Sequence, residues 1–216
     1  MPRPPSRLPP PLGLVLAGGA SRRMGGQVKA ALSFAGRPLA AWSADALAPH
    51  CSAVMLATGR LPGIAQMDLP SLPDHFPGFG PLAGLHAGLL VAGDAGILVL
   101  PCDLPLLRAE HLAPLLAHRA DHDVVIFEHQ EGIEPLVGWY GPRCLPVMHT
   151  QLLAGGGRIR AAYAKLRVQM LPWAFARSLL QNVNTPADMA AAEALIPLEA
   201  PAGQERTPGA PRSSRR

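Results

Sequence analysis

Residues 13–29 read Gly13-Leu14-Val15-Leu16-Ala17-Gly18-Gly19-Ala20-Ser21-Arg22-Arg23-Met24-Gly25-Gly26-Gln27-Val28-Lys29. Leu14 to Leu16 form a short apolar run that stops at two glycines, the pattern of a buried strand emptying into a loop. Glycine lets the backbone turn sharply and lets a ligand approach the main chain. Successive N–H groups in such a loop suit phosphate oxygens. Arg22, Arg23 and Lys29 add positive charge beside those donors. The segment is expected to receive an anion, a polyphosphate before any other. Neither familiar glycine loop describes it. A P-loop needs Lys directly after its last Gly, whereas Gln27 and Val28 intervene here. No Gly stands at the spacing of the dinucleotide fingerprint.

Outward from this stretch, strand and helix patterns alternate, which predicts an α/β domain with a mostly parallel sheet and right-handed crossovers. Pro38 suits a first helical position, and Leu39, Trp42, Ala46 and Leu47 give that helix an apolar face. A strand is expected over 52–58. The Gly- and Pro-rich residues 60–81, which include Asp74, read as a long functional loop. A helix over 82–91 follows, with Ala83, Gly84, Ala87 and Gly88 small enough for close packing. The run Ile97-Leu98-Val99-Leu100 then ends in Pro101-Cys102-Asp103-Leu104-Pro105. A carboxylate at the carboxyl end of a central strand lies where open α/β sheets bind ligands. The competing reading makes Asp103 the cap of a helix over 106–117. Further on, strands are expected over 123–127, 135–140 and 168–171, with 128–134 polar between the first two. Helices are expected from Pro142 to the triple glycine at 155–157 and over 158–165. Thr185 as N-cap and Pro186 at the first helical position open a last helix ending near Leu195.

Hydrophobic residues make up 49% of the chain and charged ones 16%, so one globular domain is expected, over 12–199. Six prolines in 1–11 and the Pro, Gly, Ser and Arg of 200–216 read as disordered extensions. Of the net charge of +4, Arg3 and Arg7 account for +2 and the segment after Glu199 for +3, so the rest carries −1. That gives no basic footprint for nucleic acid on the domain. Cys51, Cys102 and Cys144 are odd in number and widely spaced, which argues against a disulfide framework or zinc cage and fits a reducing compartment. No run approaches the ~20 apolar residues of a membrane span. Arg3, Arg7 and the run from Leu12 imitate a secretory leader, but Gly18 and Gly19 break it. A cytoplasmic location is expected.

The first stretch resembles the L-A-G-G-x-S-x-R-M-G-x-x-K signature of nucleotidyltransferases that activate sugars, alcohols and cofactors. With Pro77-Gly78-Phe79-Gly80-Pro81-Leu82-Ala83-Gly84, Pro101-Cys102-Asp103-Leu104-Pro105 and Asn182-Val183-Asn184-Thr185-Pro186, the chain is similar to the molybdenum cofactor guanylyltransferases, the MobA-type family, over roughly 13–195. The resemblance implies a three-layer α/β/α Rossmann-like fold. It implies transfer of GMP from GTP to the terminal phosphate of molybdopterin with release of pyrophosphate, by a monomer in transient contact with molybdoenzyme-maturation proteins. It places the nucleotide on the backbone of Leu16, Ala17, Gly18 and Gly19, and the phosphates on Lys29, beside which Arg22 or Arg23, the latter taken as the catalytic one, would stabilise the β- and γ-phosphates. Asp74 would contact the nucleotide, and Asp103 both the nucleotide and a magnesium ion. Arg158 would meet an anionic pterin or stand exposed at a helix start. Two positions depart from the family pattern: Val28 where many members carry Asp, and Ala57 where a guanosine-contacting Asn is common. A CTP-dependent cytidylyltransferase, another phosphorylated acceptor, or a non-catalytic adaptor that escorts the cofactor remain open at this point.

Overall fold

A computed structural model describes residues 8–18, 28–59 and 67–196. Its strands are β1 (Leu12–Leu16), β2 (Ser33–Phe34), β3 (Arg37–Pro38), β4 (Ala53–Ala57), β5 (Ser71–Leu72), β6 (Ile97–Pro101), β7 (Val124–His129), β8 (Gly132–Tyr140) and β9 (Val168–Pro172). Its helices are α1 (Leu39–Leu47), α2 (Pro81–Ala92), α3 (Ala109–Ala117), α4 (Cys144–Leu153) and α5 (Pro186–Glu193). Seven strands form one sheet in the order β5-β4-β1-β6-β8-β7-β9, and β2 with β3 forms a small hairpin. All neighbours in the large sheet are parallel except β6/β8 and β8/β7.

The period-2 alternation of side chains explains the three layers. Val15, Leu98 and Leu100 face one way and pack with Ala40, Leu47, Leu112 and Leu115 of α1 and α3. Leu14, Leu16, Ile97 and Val99 face the other way, onto Leu82, Leu85 and Met148 of α2 and α4. β1 and β6 are buried on both faces, hence their unbroken apolar runs. Helix α2 lies unusually close to the sheet. A Cβ on Gly84 would come 2.9 Å from Leu16 Cδ2, and one on Gly88 2.8 Å from Leu14 Cδ2. The small residues there are required by that approach.

Local readings needed correction in four places. Pro38 is the N-cap of α1 and not its first helical residue. It ends the β2/β3 hairpin, whose turn places Ala35 and Gly36 at φ 46° and 78°, the conformation of a tight two-residue hairpin. Helix α3 starts at Ala109, after a turn in which the Leu107 N–H donates to the Leu104 carbonyl, and the Arg108 N–H donates to His111 Nδ1 at its start. Asp103 is therefore six residues from that helix and does not cap it. Gly132, Ile133 and Glu134, at the end of the stretch read as polar, belong to β8, where they pair with His129, Glu128 and Phe127 of β7. Residues 159–165 wind as a 3-10 helix instead of an α-helix. Of the extension expected over 1–11, residues 8–11 are described: the Leu8 carbonyl accepts from Arg119 Nη2 at 2.7 Å, and the Pro11 carbonyl from the Ser52 N–H. Residues 1–7 and 197–216 lie outside the described residues. No helix among the described residues is long and apolar enough to cross a membrane.

At the far end of β7, buried Asp123 ties β9 to its neighbours. Its Oδ2 accepts from the Arg167 backbone N–H (2.9 Å) and Nε (3.2 Å), and its Oδ1 from Nη2 (2.8 Å). These bonds from Arg167 hold the Asp123 carboxyl below the usual carboxylate range. A folded-state value below the unfolded one means stability that is present above the unfolded pKa and lost as pH falls through the folded value. Asp123→Asn is expected to cost about 2 kcal/mol, the worth of charge-assisted hydrogen bonds. The deficit in Tm against wild type should hold constant between roughly pH 6 and 8 and shrink below about pH 4. A deficit that does not change with pH would show that packing, and not the ionised carboxylate, carries the effect.

Candidate active site

The strand order reverses direction at β1, because β4 and β5 lie on one side of it and β6 on the other. Open α/β sheets bind ligands at such a switch point, outside the carboxyl ends of the strands. Here β1 and β6 remain zipped to their ends, the Cys102 N–H donating to the Leu16 carbonyl at 3.2 Å. Asp103 is thereby delivered to the carboxyl edge of the sheet. Its carbonyl accepts from the Val183 N–H at 2.9 Å, which draws the segment before α5 over the strand ends. Val183 is fully buried, so its neighbours Asn182 and Asn184 face the other way, into the cleft.

Lys29 closes this arrangement. Its ammonium donates to Asp103 Oδ2 at 2.8 Å and also to Asn184 Oδ1. The Lys29 and Asp103 side chains are 15% and 24% exposed, enough to meet a substrate and little enough for the charges to be only partly screened. The anchor behind Asn184 is a capping box. Thr185 Oγ1 accepts from the Asp188 N–H at 3.1 Å, while Asp188 Oδ2 accepts from the N–H groups of Asn184 and Thr185. Those bonds, the Asn184 N–H first, keep the Asp188 carboxyl below its usual range. Burial, with the Asp103 charge adding to it, pushes the neighbouring Cys102 thiol up to about 12. Cys102 is thus an inert core residue, since only a thiolate is a competent nucleophile.

The cleft has a volume of about 910 Å³. Leu16, Gly18, Lys29 and Asp103 form its floor on the β1/β6 side. Its opposite wall comes from β8 and the segment after α4: Glu134, Pro135, Leu136, Arg158 and Arg160. The β8 wall exists because of a bulge. Ile126 pairs with Gly138 but Phe127 pairs with Glu134, so residues 135–137 are extra on β8. Proline is tolerated at such a place because it has no N–H to give the ladder. Across the mouth, Phe79 rests on the triple glycine. A Cβ on Gly156 would stand 2.1 Å from Phe79 Cδ1, and Gly156 has φ +80°, so only glycine fits.

Of the residues singled out from the sequence, Lys29, Asp103, Leu16, Gly18 and Arg158 meet at this cleft. Ala17 does not: its N–H donates to the Ala57 carbonyl at 3.0 Å and its side chain is buried, so it extends the sheet. Asp74 does not line the cleft either. It stands just past the carboxyl end of β4, where a Cβ on Gly59 would be 3.7 Å from its Oδ2 and one on Gly18 3.6 Å from the Thr58 carbonyl. Ala57 is buried beneath Gly84 of α2. Gly19 and Arg23 fall outside the described residues. Asn182, Asn184, Glu134, Arg160 and Phe79 were not singled out as site residues. The Asn-Val-Asn alternation, two polar residues about one that must be buried, was the available signal for the first two. Glu134 had none, because its placement depends on the bulge.

The family described as "MobA-like NTP transferase domain" matches residues 13–170, which takes in β1, Lys29, Asp103 and the β8 wall. The chain belongs to this family. A molybdenum cofactor guanylyltransferase of Desulfosudis oleivorans is 34% identical to it over 191 residues, 85% of this chain and 95% of the relative. One of Vibrio cholerae is 32% identical over 85% of this chain and 92% of its own. Among solved structures, molybdopterin-guanine dinucleotide biosynthesis protein A of Archaeoglobus fulgidus superposes with a TM-score of 0.70 at 25% identity, covering 85% of this chain and 97% of that one. Membership makes the chain a nucleotidyltransferase and its fold the three-layer α/β/α arrangement described above.

Proposed function

We propose that the protein transfers GMP from GTP to the terminal phosphate of molybdopterin, releasing pyrophosphate and forming the guanine dinucleotide of the cofactor. The observation that carries this is the Lys29–Asp103–Asn184 triangle at the sheet's switch point, within a cleft near the top of the ~300–1,000 Å³ range of single-ligand sites. The guanylyl activity named for the Desulfosudis and Vibrio relatives, which align over nearly their whole lengths, supports guanine over cytosine.

An oxygen of the acceptor's terminal phosphate attacks the α-phosphorus of GTP. The new O–P bond forms as the bond from the α-phosphorus to the bridging oxygen breaks, and that electron pair leaves with pyrophosphate. The nucleophile is already anionic, so no protein base is needed. Catalysis of this kind is positioning and charge stabilisation. Lys29 supplies a cation where negative charge accumulates, and Asn184 and Asp103 fix its direction. The backbone at Gly18 borders the same space. Arg158 and Arg160 stand on the acceptor side as counter-charges for its phosphate.

Magnesium fits the residues present. This ion binds through one or two carboxylates together with substrate phosphates and water. Asp103 offers such an oxygen beside the phosphate path. When bound it would neutralise phosphate charge and hold the triphosphate's geometry. The cysteines are unpaired, and we place the reaction in a reducing cytoplasm.

The test is to incubate purified protein with magnesium, molybdopterin and each of the four nucleoside triphosphates, measuring pyrophosphate and the dinucleotide product. Release with GTP alone is expected. Equal release with CTP would favour the cytidylyl reading. Tight GTP binding without product would make the chain an adaptor.

A further inference from the structure

One carboxylate faces the otherwise cationic acceptor wall. Glu134 lies on β8 beside the bulge and lines the cleft together with Pro101, Asp103, Arg158 and Arg160. Its orientation is fixed from behind. The Glu131 N–H donates to His129 Nδ1 at 3.2 Å, so that nitrogen holds a lone pair and the ring proton is on Nε2. Nε2 donates to Glu134 Oε1 at 2.9 Å. Among the described residues this is the only donor to the carboxylate, and the side chain remains 26% exposed. One oxygen is therefore committed to His129, and Glu134 is among the residues that line the cleft. Neither Arg158 nor Arg160 pairs with Glu134 or any other carboxylate among the described residues. A carboxylate kept apart from two nearby arginines suits a ligand that brings both hydrogen-bond donors and anionic charge.

We propose that Glu134 is a specificity-determining residue for the acceptor, its carboxylate taking the adjacent N–H and NH₂ donors along one edge of a pterin-type heterocycle. This rests on the function proposed above and names how that site recognises its second substrate. A 2-amino-4-oxopyrimidine ring presents those two donors side by side, and a carboxylate is their natural complement. Guanine carries the same edge, so position decides between the two. The triphosphate is received at β1 and Lys29, and β8 lies beyond β6 from β1, two strand spacings of ~4.8 Å across the sheet. The arginines beside Glu134 supply counter-charge over and above Lys29, which a second anionic substrate requires. Phe79, lying on Gly156 at the same mouth, closes this end of the cleft with an aromatic face.

Glu134→Gln isolates the idea. His129 Nε2 still donates to Gln Oε1, which holds the amide in one orientation and turns its NH₂ toward the place of the second carboxylate oxygen. An acceptor becomes a donor at one atom, facing the donors of the ring. Two measurements decide the matter: steady-state transfer with GTP and molybdopterin each varied, and a fluorescence titration with the air-oxidised pterin phosphate prepared from molybdopterin, which keeps the same edge. Glu134→Gln is expected to raise the acceptor KM and the pterin Kd about 10–100-fold, the discrimination typical of a bidentate edge contact. The GTP KM should stay within about twofold, which also shows that the variant is folded. Unchanged acceptor KM and pterin Kd would overturn the assignment. So would a rise confined to the GTP KM, since Glu134 would then read the nucleotide base. Wild-type protein that binds the pterin without transferring GMP would overturn the function proposed above, and the two pterin titrations would still decide the role of Glu134.

Discussion

Asp103→Asn is expected to lower GMP transfer about 10²–10³-fold, the usual loss when one preorganised charge is removed from a transition state. The substitution keeps the shape of the side chain and removes its charge. In the wild type, Oδ2 receives the Lys29 ammonium at 2.8 Å. An amide there leaves Lys29 without its anion and removes the only carboxylate beside the phosphate path among the cleft-lining residues on the β1/β6 side. The fold should be indifferent, because Asp103 binds the α5 segment through its backbone carbonyl and not through its side chain. The measurement is pyrophosphate release across a magnesium titration, with Tm as the control for folding. Wild-type turnover at every magnesium concentration would sink the idea that this carboxylate takes part in the chemistry. A large drop in Tm would move it to the structural side instead.

The parts of the molecule that were legible beforehand are those where one physical signal dominates. Leu14 to Leu16 and Ile97 to Leu100 are apolar on both faces because β1 and β6 are covered by helices on both sides. Such runs announce the centre of a parallel sheet, and their ends announce the site, so Lys29 and Asp103 could be named. The start of α5 was equally clear, since Thr185, Pro186 and Asp188 each satisfy a separate requirement of a helix N-terminus. What stayed hidden depended on contacts between distant segments. Pro38 has the φ of a helix start and of a strand end alike, and only the pairing of Phe34 with Arg37 chooses. Residues 128–134 read as polar between two strands, yet all but Gln130 and Glu131 pair across the β7/β8 hairpin, and only that pairing makes them strand. Glu134 reaches the cleft through an irregularity in register, which leaves no periodic trace in sequence. Asp74 came from the family resemblance alone, and the chain sets it beside Gly59, one residue past the Thr58 carbonyl that borders Gly18.

Lys29→Ala is expected to raise the KM for GTP and to lower turnover together, by a combined factor of about 10² or more in kcat/KM. Two effects of the same sign act here. The triphosphate loses a cation, and the Asp103 carboxylate, no longer neutralised, repels the incoming phosphates from a partly desolvated position. Lys29→Arg should recover part of the loss. It restores the charge, but a planar fork cannot occupy the point between Asp103 Oδ2 and Asn184 Oδ1 that the ammonium fills. The second effect yields a sharper test than the single variants. If Asp103 becomes repulsive once Lys29 is gone, adding Asp103→Asn to Lys29→Ala removes that repulsion, and the double variant loses far less than the product of the two single losses. Multiplicative losses would show that the two residues act separately and that their ion pair is incidental. Wild-type kinetics in both Lys29 variants would put the lysine outside the phosphate path altogether.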